Sequence, residues 1–115
     1  MARKTPVVRD TKLYHYDENE GAEFFILDIV EDWNHWQNFL DQEKEKSIRF
    51  IGPDQGSISV IKEMRPHYRD RENKRPVWYA HKRISGRLRR KYIGISENMT
   101  YQKLQEVATA LNRMS

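Results

Sequence analysis

The sequence predicts an α+β fold: an antiparallel four-stranded sheet made of two hairpins, flanked by an N-terminal and a C-terminal helix. Three observations carry that expectation. Apolar residues recur at helical spacing in two separated stretches, β-branched runs lie between those stretches, and turn residues join the runs in pairs. A chain of 115 residues suffices for one ordinary domain and not for two. We therefore expect a flexible basic arm over 1–14 and a single α+β domain over 15–115.

The arm expectation rests on Arg3, Lys4, Pro6 and Arg9 in a stretch without a period. The first helix is expected from about Leu27 to Glu45. Ile26, Val30, Trp33 and Leu40 form its apolar stripe, Trp36 and Phe39 widen it, and Asp28, Glu31, Asp32 and Asp41 lie on the other side. The tryptophans read as core anchors, because aromatic rings dominate small cores.

The period then changes to two. Ser47–Ile51 and Ser57–Arg65 read as strands joined by the Gly52–Gly56 turn, and Pro66–Pro76 reads as a long polar loop. Val77–Ile84 and Arg87–Ile93 form the second hairpin around Ser85-Gly86. Thr100 reads as the N-cap of a last helix with Leu104, Val107, Ala108 and Leu111 on its apolar stripe.

Charge is divided unevenly. His15 to Lys46 holds ten acids against two bases, a net of −8, and Lys62 to Tyr92 holds twelve bases against three acids, a net of +9. A local excess of this size is the electrostatic footprint of polyanion binding, which the overall +4 conceals.

The second hairpin locates that excess. A two-residue loop sets Ile84 opposite Arg87, Lys82 opposite Arg89, Ala80 opposite Lys91 and Trp78 opposite Ile93, all on one face. Trp78, Ala80 and Ile93 suit docking of the last helix. The other face interleaves aromatics and bases through Tyr79, His81, Arg83, Leu88, Arg90 and Tyr92. Such a ribbon fits the DNA major groove, where arginine pairs with guanine and other bases take phosphates. The first helix, with Trp33 and Trp36, could instead cover the Tyr79/Tyr92 face, leaving only the tip and the polar loop for a ligand.

The stretch WYAHKRISGRLRRKYIGISENMTYQKLQEVATAL resembles a segment of large bacterial regulators of the LuxR/MalT kind and of free-standing small proteins. That pattern runs WYAY, basic residues, G-K-L, R-Y-L-G, L-T, then L, V-A and L at helical spacing. Trp78, Tyr79, Ala80, Gly86, Leu88, Tyr92, Ile93, Gly94, Thr100, Leu104, Val107, Ala108 and Leu111 follow it in order. Upstream, Trp33, Trp36, Phe50, Gly52, Gly56, Ser57, Lys62 and Glu63 match its W…W, F-x-G…G-S and K-E pieces, so the likeness covers roughly Asp32 to Leu111. His81 departs from the second aromatic, Ser85-Gly86 from the usual G-G, and Ile61 stands where a base is common. The strand–turn–strand–helix pattern is also similar to integrase arm-site and ethylene-response DNA-binding domains, in which a sheet backed by one helix enters the major groove. Both resemblances imply DNA binding.

Enzyme readings rank low. His15, His35, His67 and His81 share no metal-ligand spacing, and the chain has no cysteine. No P-loop, Rossmann or nucleophile-elbow motif is present. The hairpin has a faint similarity to the GIY-YIG nuclease, but Glu97, Glu106 and Arg113 are too few and too late to complete that site. No apolar run approaches the roughly 18 residues of a membrane helix, and the N-terminus lacks a signal-peptide run.

The expected function is therefore a non-enzymatic, cytoplasmic, cofactor-free, metal-free protein that binds double-stranded DNA in transcription regulation or mobile-element recombination. The residues expected to contact nucleic acid are Arg65, Tyr79, His81, Arg83, Arg87, Arg89, Arg90 and Lys91. Two alternatives stand beside it. One is a protein-interaction adaptor, docking through the acidic first helix or by pairing of the −8 and +9 segments. The other is RNA binding by stacking on Tyr79, His81 and Tyr92. No oligomeric state follows from the pattern.

Overall fold

The computed structural model describes residues 5–17, 19–42, 45–52, 56–67 and 70–113, with the side chains of 65–67 and 70–75 outside that description. Seven strands form one sheet: β1 Val7–Arg9, β2 Lys12–Asp17, β3 Ala22–Asp28, β4 Ser47–Gly52, β5 Gly56–His67, β6 Asp70–Ile84 and β7 Arg87–Ile95. Their order is β3-β2-β1-β4-β5-β6-β7. All neighbours are antiparallel except β1 and β4, which run parallel. Two helices, α1 Trp33–Asp41 and α2 Tyr101–Asn112, complete the α+β fold. The expected four-stranded antiparallel sheet is corrected to a seven-stranded mixed one.

The three added strands come from the N-terminal third. Val7–Arg9, expected in the arm, is a central strand: Val8 lies opposite both Leu13 and Phe50, and all three are fully buried. Asp10, at φ 53, makes the turn into β2, in the left-handed region that short polar side chains tolerate. The first helix is also shorter than expected. Phe24 to Leu27 is a consecutive apolar run, which suits a strand as well as a helix. Asp28 decides the matter by accepting hydrogen bonds from Val30 N (2.9 Å), Glu31 N (3.0 Å) and Thr11 Oγ1 (2.8 Å). The acids assigned to a helix face thus build a turn that ends β3 before α1 begins.

Both helices pack on one face of the sheet. Trp36 and Leu40 of α1 share a single core with Leu104, Val107, Ala108 and Leu111 of α2. Val8, Leu13, Ile48, Phe50, Ile58, Val60, Trp78, Ala80 and Ile93 of the sheet complete that core. The connector between β7 and α2 locks the two tryptophans: Trp36 Nε1 donates to Met99 O (2.7 Å) and Trp78 Nε1 to Ser96 Oγ (3.0 Å). Buried indole N–H groups are thereby satisfied. Lys62, opposite Trp78, donates from Nζ to Leu40 O (2.6 Å) and Gln42 O (3.1 Å), closing the C-terminal end of α1. Thr100 caps α2 by accepting from Lys103 N at 3.0 Å.

The expected polar loop, Pro66–Pro76, is also corrected. β5 continues to His67 and β6 starts at Asp70, with Arg65 opposite Arg75 and Pro66 opposite Lys74. The sequence from Pro66 to Pro76 has no apolar period to mark a strand, because β-propensity reports fit to a half-buried surface.

Candidate nucleic-acid interface

Ser85 and Gly86 both have positive φ, 52 and 79, so the hairpin turns in the mirror-image geometry that matches strand twist. The register that follows is Ile84↔Arg87, Arg83↔Leu88, Lys82↔Arg89, His81↔Arg90, Ala80↔Lys91 and Tyr79↔Tyr92. It then shifts: Trp78 lies opposite Gly94, in place of the expected Ile93. The extra residue is a β-bulge that keeps Ile93 buried beside α2 while Tyr92 stays 54% exposed on the other face. Gly94, at φ 123, absorbs the distortion, and a Cβ there would come within 2.3 Å of the Asn98 amide.

The sheet face away from the helices carries Tyr79, His81, Arg83, Leu88, Arg90 and Tyr92, so the first helix does not cover it. Arg90 lies over Tyr79, 3.7 Å from the ring centroid, and pairs with Glu63 on β5. Tyr92 meets Tyr79 edge-on at 5.2 Å. His81 is half-buried between these groups, and its pKa is lowered, first by burial, then by the Arg90 charge, against an opposing pull from Glu63. Arg83 reaches back to Gly86 O at 3.2 Å.

The helix-side face of the hairpin carries Lys82, Arg87, Arg89 and Lys91. Lys82 donates to Asn112 Oδ1 at the end of α2, so the helix stops there and the tip continues past it. Arg87 and Arg89 are exposed beyond that point and Lys91 is half-buried. None of the three makes a side-chain hydrogen bond or ion pair among the described residues. Between His81 and Tyr92 the chain has six lysines and arginines and no acid, so the tip is cationic on both faces.

The site thus gathers Tyr79, His81, Arg83, Arg87, Arg89, Arg90 and Lys91 on one ribbon. Arg65 is separate. Its strand partner Arg75 is eight residues along β6 from Arg83, roughly 26 Å at the rise of a strand, and its side chain lies outside the described residues. Sequence reasoning missed the two positions that fix where the ribbon emerges, Asn112 and Glu63. The helical phase of Asn112, one residue after the stripe ends at Leu111, was the signal for the first. Glu63 carried no signal beyond its sign.

Other expectations are constrained by the same geometry. The acids Asp28, Glu31 and Asp32 precede α1, so the helix itself offers only Asp41 as a carboxylate. β3 and β7, the acidic and basic edges, have five strands between them. Among the described residues there is no group of three or more histidines and carboxylates placed to hold a metal, and no helix is long and apolar enough to cross a membrane. No family model, curated protein or solved structure matches this chain.

Proposed function

We propose that this protein binds double-stranded nucleic acid, DNA in the first instance, by placing the tip of the β6–β7 ribbon in the major groove. The observation that carries the reading is the projection of the ribbon past the end of α2 with bases on both faces. A groove presents phosphates on two walls and base edges at its floor, and a ribbon charged on one face only would serve one wall. Arg87, Arg89 and Lys91 are the residues for phosphates. Arg83, opposite Leu88 on the other face, is the one for base edges, with Arg90, held on the Tyr79 ring, adding positive charge beside it. Accessory roles in transcription or recombination fit this reading and the likeness of Trp78–Leu111 to regulator segments.

The contacts of Tyr79 favour a duplex over stacked single strands. One ring face is occupied by Arg90 and an edge by Tyr92, so a base stacking on Tyr79 must first displace the guanidinium. Among the described residues of this ribbon Tyr92 is the one open ring, and one ring makes a poor stacking platform.

The test is a mobility-shift titration with random-sequence duplex DNA and single-stranded RNA across a salt series. The expected result is preference for duplex, with log affinity falling linearly as log salt rises. Replacing Arg87 and Arg89 together by alanine should reduce that slope by about 2, roughly one for each phosphate that no longer meets a guanidinium. Absence of a duplex shift at low salt, or an unchanged slope in the double variant, would refute the proposal.

A further inference from the structure

The two edges of the sheet are unlike. β7 carries Arg87, Arg89, Arg90 and Lys91, the charged side chains by which natural edge strands discourage pairing. β3, at the other edge, carries Phe24, Phe25 and Ile26 in succession, and these are 47%, 56% and 43% exposed. Acids surround them: Asp17 and Glu20 in the β2–β3 hairpin, Glu23 on the strand, and Glu31 in the turn after it. A chain that protects one edge with cations and leaves an apolar acidic strand at the other has complementary ends.

Strand direction is complementary too. From β3 the order runs through two antiparallel steps, one parallel step and three antiparallel steps to β7. Five reversals make β7 point opposite to β3. A second copy placed beyond β3 in the same orientation therefore presents its β7 antiparallel to β3, with the helices of both copies on the same side. β3 has a bulge at Ile26, because Leu13 pairs with Leu27 and Tyr14 with Phe25. The regular part of the edge is Ala22 to Phe25. Setting Phe25 opposite the exposed Leu88 of the next copy makes an apolar pair. It also sets Glu23, which accepts from Arg9 in its own copy, opposite Arg90, which pairs with Glu63 in its own, so that these charges meet as a network across the seam. Pairing of β3 with another β3 would instead bring two acidic edges together.

We propose that the chain self-associates head to tail, the β3 edge of one copy adding the β7 edge of the next, so that the sheet continues from molecule to molecule. The interface is heterologous, so the assembly is an open chain or a ring and grows with concentration. It uses the same basic edge as the proposed nucleic-acid contact, but it needs no nucleic acid and does not rest on that reading.

The test uses the full chain, free of nucleic acid, in light scattering and sedimentation at low and high salt. The wild type should show a mass above the monomer at low salt, rising with concentration and returning to the monomer as salt increases. Phe25→Lys, which blocks β3, and Leu88→Glu, which blocks β7, should each be monomeric and folded, the first with a slightly lower melting temperature because the Phe25 ring meets Tyr14 edge-on at 6.1 Å. Mixed, they retain one sound β3 edge and one sound β7 edge, and should form a dimer that grows no further. A wild type that stays monomeric at low salt overturns the proposal, and so does a mixture with no dimer. A Leu88→Glu protein that still dimerises alone overturns it in favour of β3–β3 pairing. Loss of duplex binding in Arg87→Ala/Arg89→Ala, which alters neither Phe25 nor Leu88, bears on the nucleic-acid reading alone.

Discussion

Arg90 lies 3.7 Å from the centroid of the Tyr79 ring while its guanidinium pairs with Glu63 on β5, two strands away. One side chain thus joins β5, β6 and β7 across the face that no helix covers. An exposed cation–π contact is worth about 0.5–1 kcal/mol, and a surface ion pair about 0–1 kcal/mol. Arg90→Ala should therefore lower stability by about 1 kcal/mol and weaken duplex binding. Arg89→Ala should weaken binding with no measurable change in stability, because the Arg89 side chain makes no hydrogen bond or ion pair among the described residues. Thermal melts beside shift assays on the two variants separate these roles, and equal stability losses would contradict the assignment.

The hairpin turn yields a stabilising substitution. Ser85 holds φ 52, a conformation that serine adopts at an energetic disadvantage and asparagine tolerates more readily. Its side chain is exposed, so replacement disturbs no packing. Ser85→Asn should raise stability. The same reasoning reverses at Gly94, where alanine would meet the Asn98 amide at a φ of 123; Gly94→Ala should destabilise by about 1–3 kcal/mol. Urea unfolding of both variants checks the two signs.

The sequence made the Ser85-Gly86 turn legible and hid the Gly94 bulge and most of the sheet that carries them. Periodicity located the second hairpin, its register from the tip to Tyr79, and the α2 stripe, because each is an alternation with one face buried by a helix. It failed where that condition fails. β1 has only three residues, too few for a period, and its parallel pairing with β4 leaves no local signal. β3 is apolar without alternation because it is an edge strand with exposed phenylalanines. Residues 66–76 carry few apolar side chains, so no period marks the continuation of β5 and β6 there. For the candidate site, charge counting pointed to the ribbon and did not show which of its bases are engaged within the fold. Lys82 and Arg90 hold the ribbon in place, and only the pairing of strands and the end of α2 reveal that Arg87 and Arg89 stand clear.

His81 should make stability depend on pH. Burial and the nearby Arg90 charge hold its pKa below the ordinary imidazole value, and Nε2 is enclosed without a hydrogen-bond partner among the described residues. The unfolded chain, titrating near 6.5, therefore binds more protons than the folded one between the two values. Stability falls as pH drops through about 6.5 and levels off below the folded value. His81→Gln removes that increment. Melting temperatures from about pH 7.5 to about pH 5 should slope less in the variant than in the wild type. Parallel slopes would mean that other groups carry the acid sensitivity.

Lys62 tests whether the basic segment acts as a whole or residue by residue. It belongs to the +9 stretch, yet its ammonium serves α1, donating to Leu40 O at 2.6 Å and Gln42 O at 3.1 Å, and it also lies 5.6 Å from the Trp78 ring centroid. Lys62→Met keeps most of the stem and deletes the donor. Two carbonyls at a helix terminus then lose a charged partner, which costs about 1–3 kcal/mol. The variant should unfold at lower urea concentration while the salt slope of duplex binding stays that of the wild type. Net charge falls by one in Lys62→Met and by two in Arg87→Ala/Arg89→Ala, so a purely global electrostatic effect would give the first half the slope change of the second. The proposed contact predicts the opposite division: the stability loss at Lys62, and the slope change at the tip.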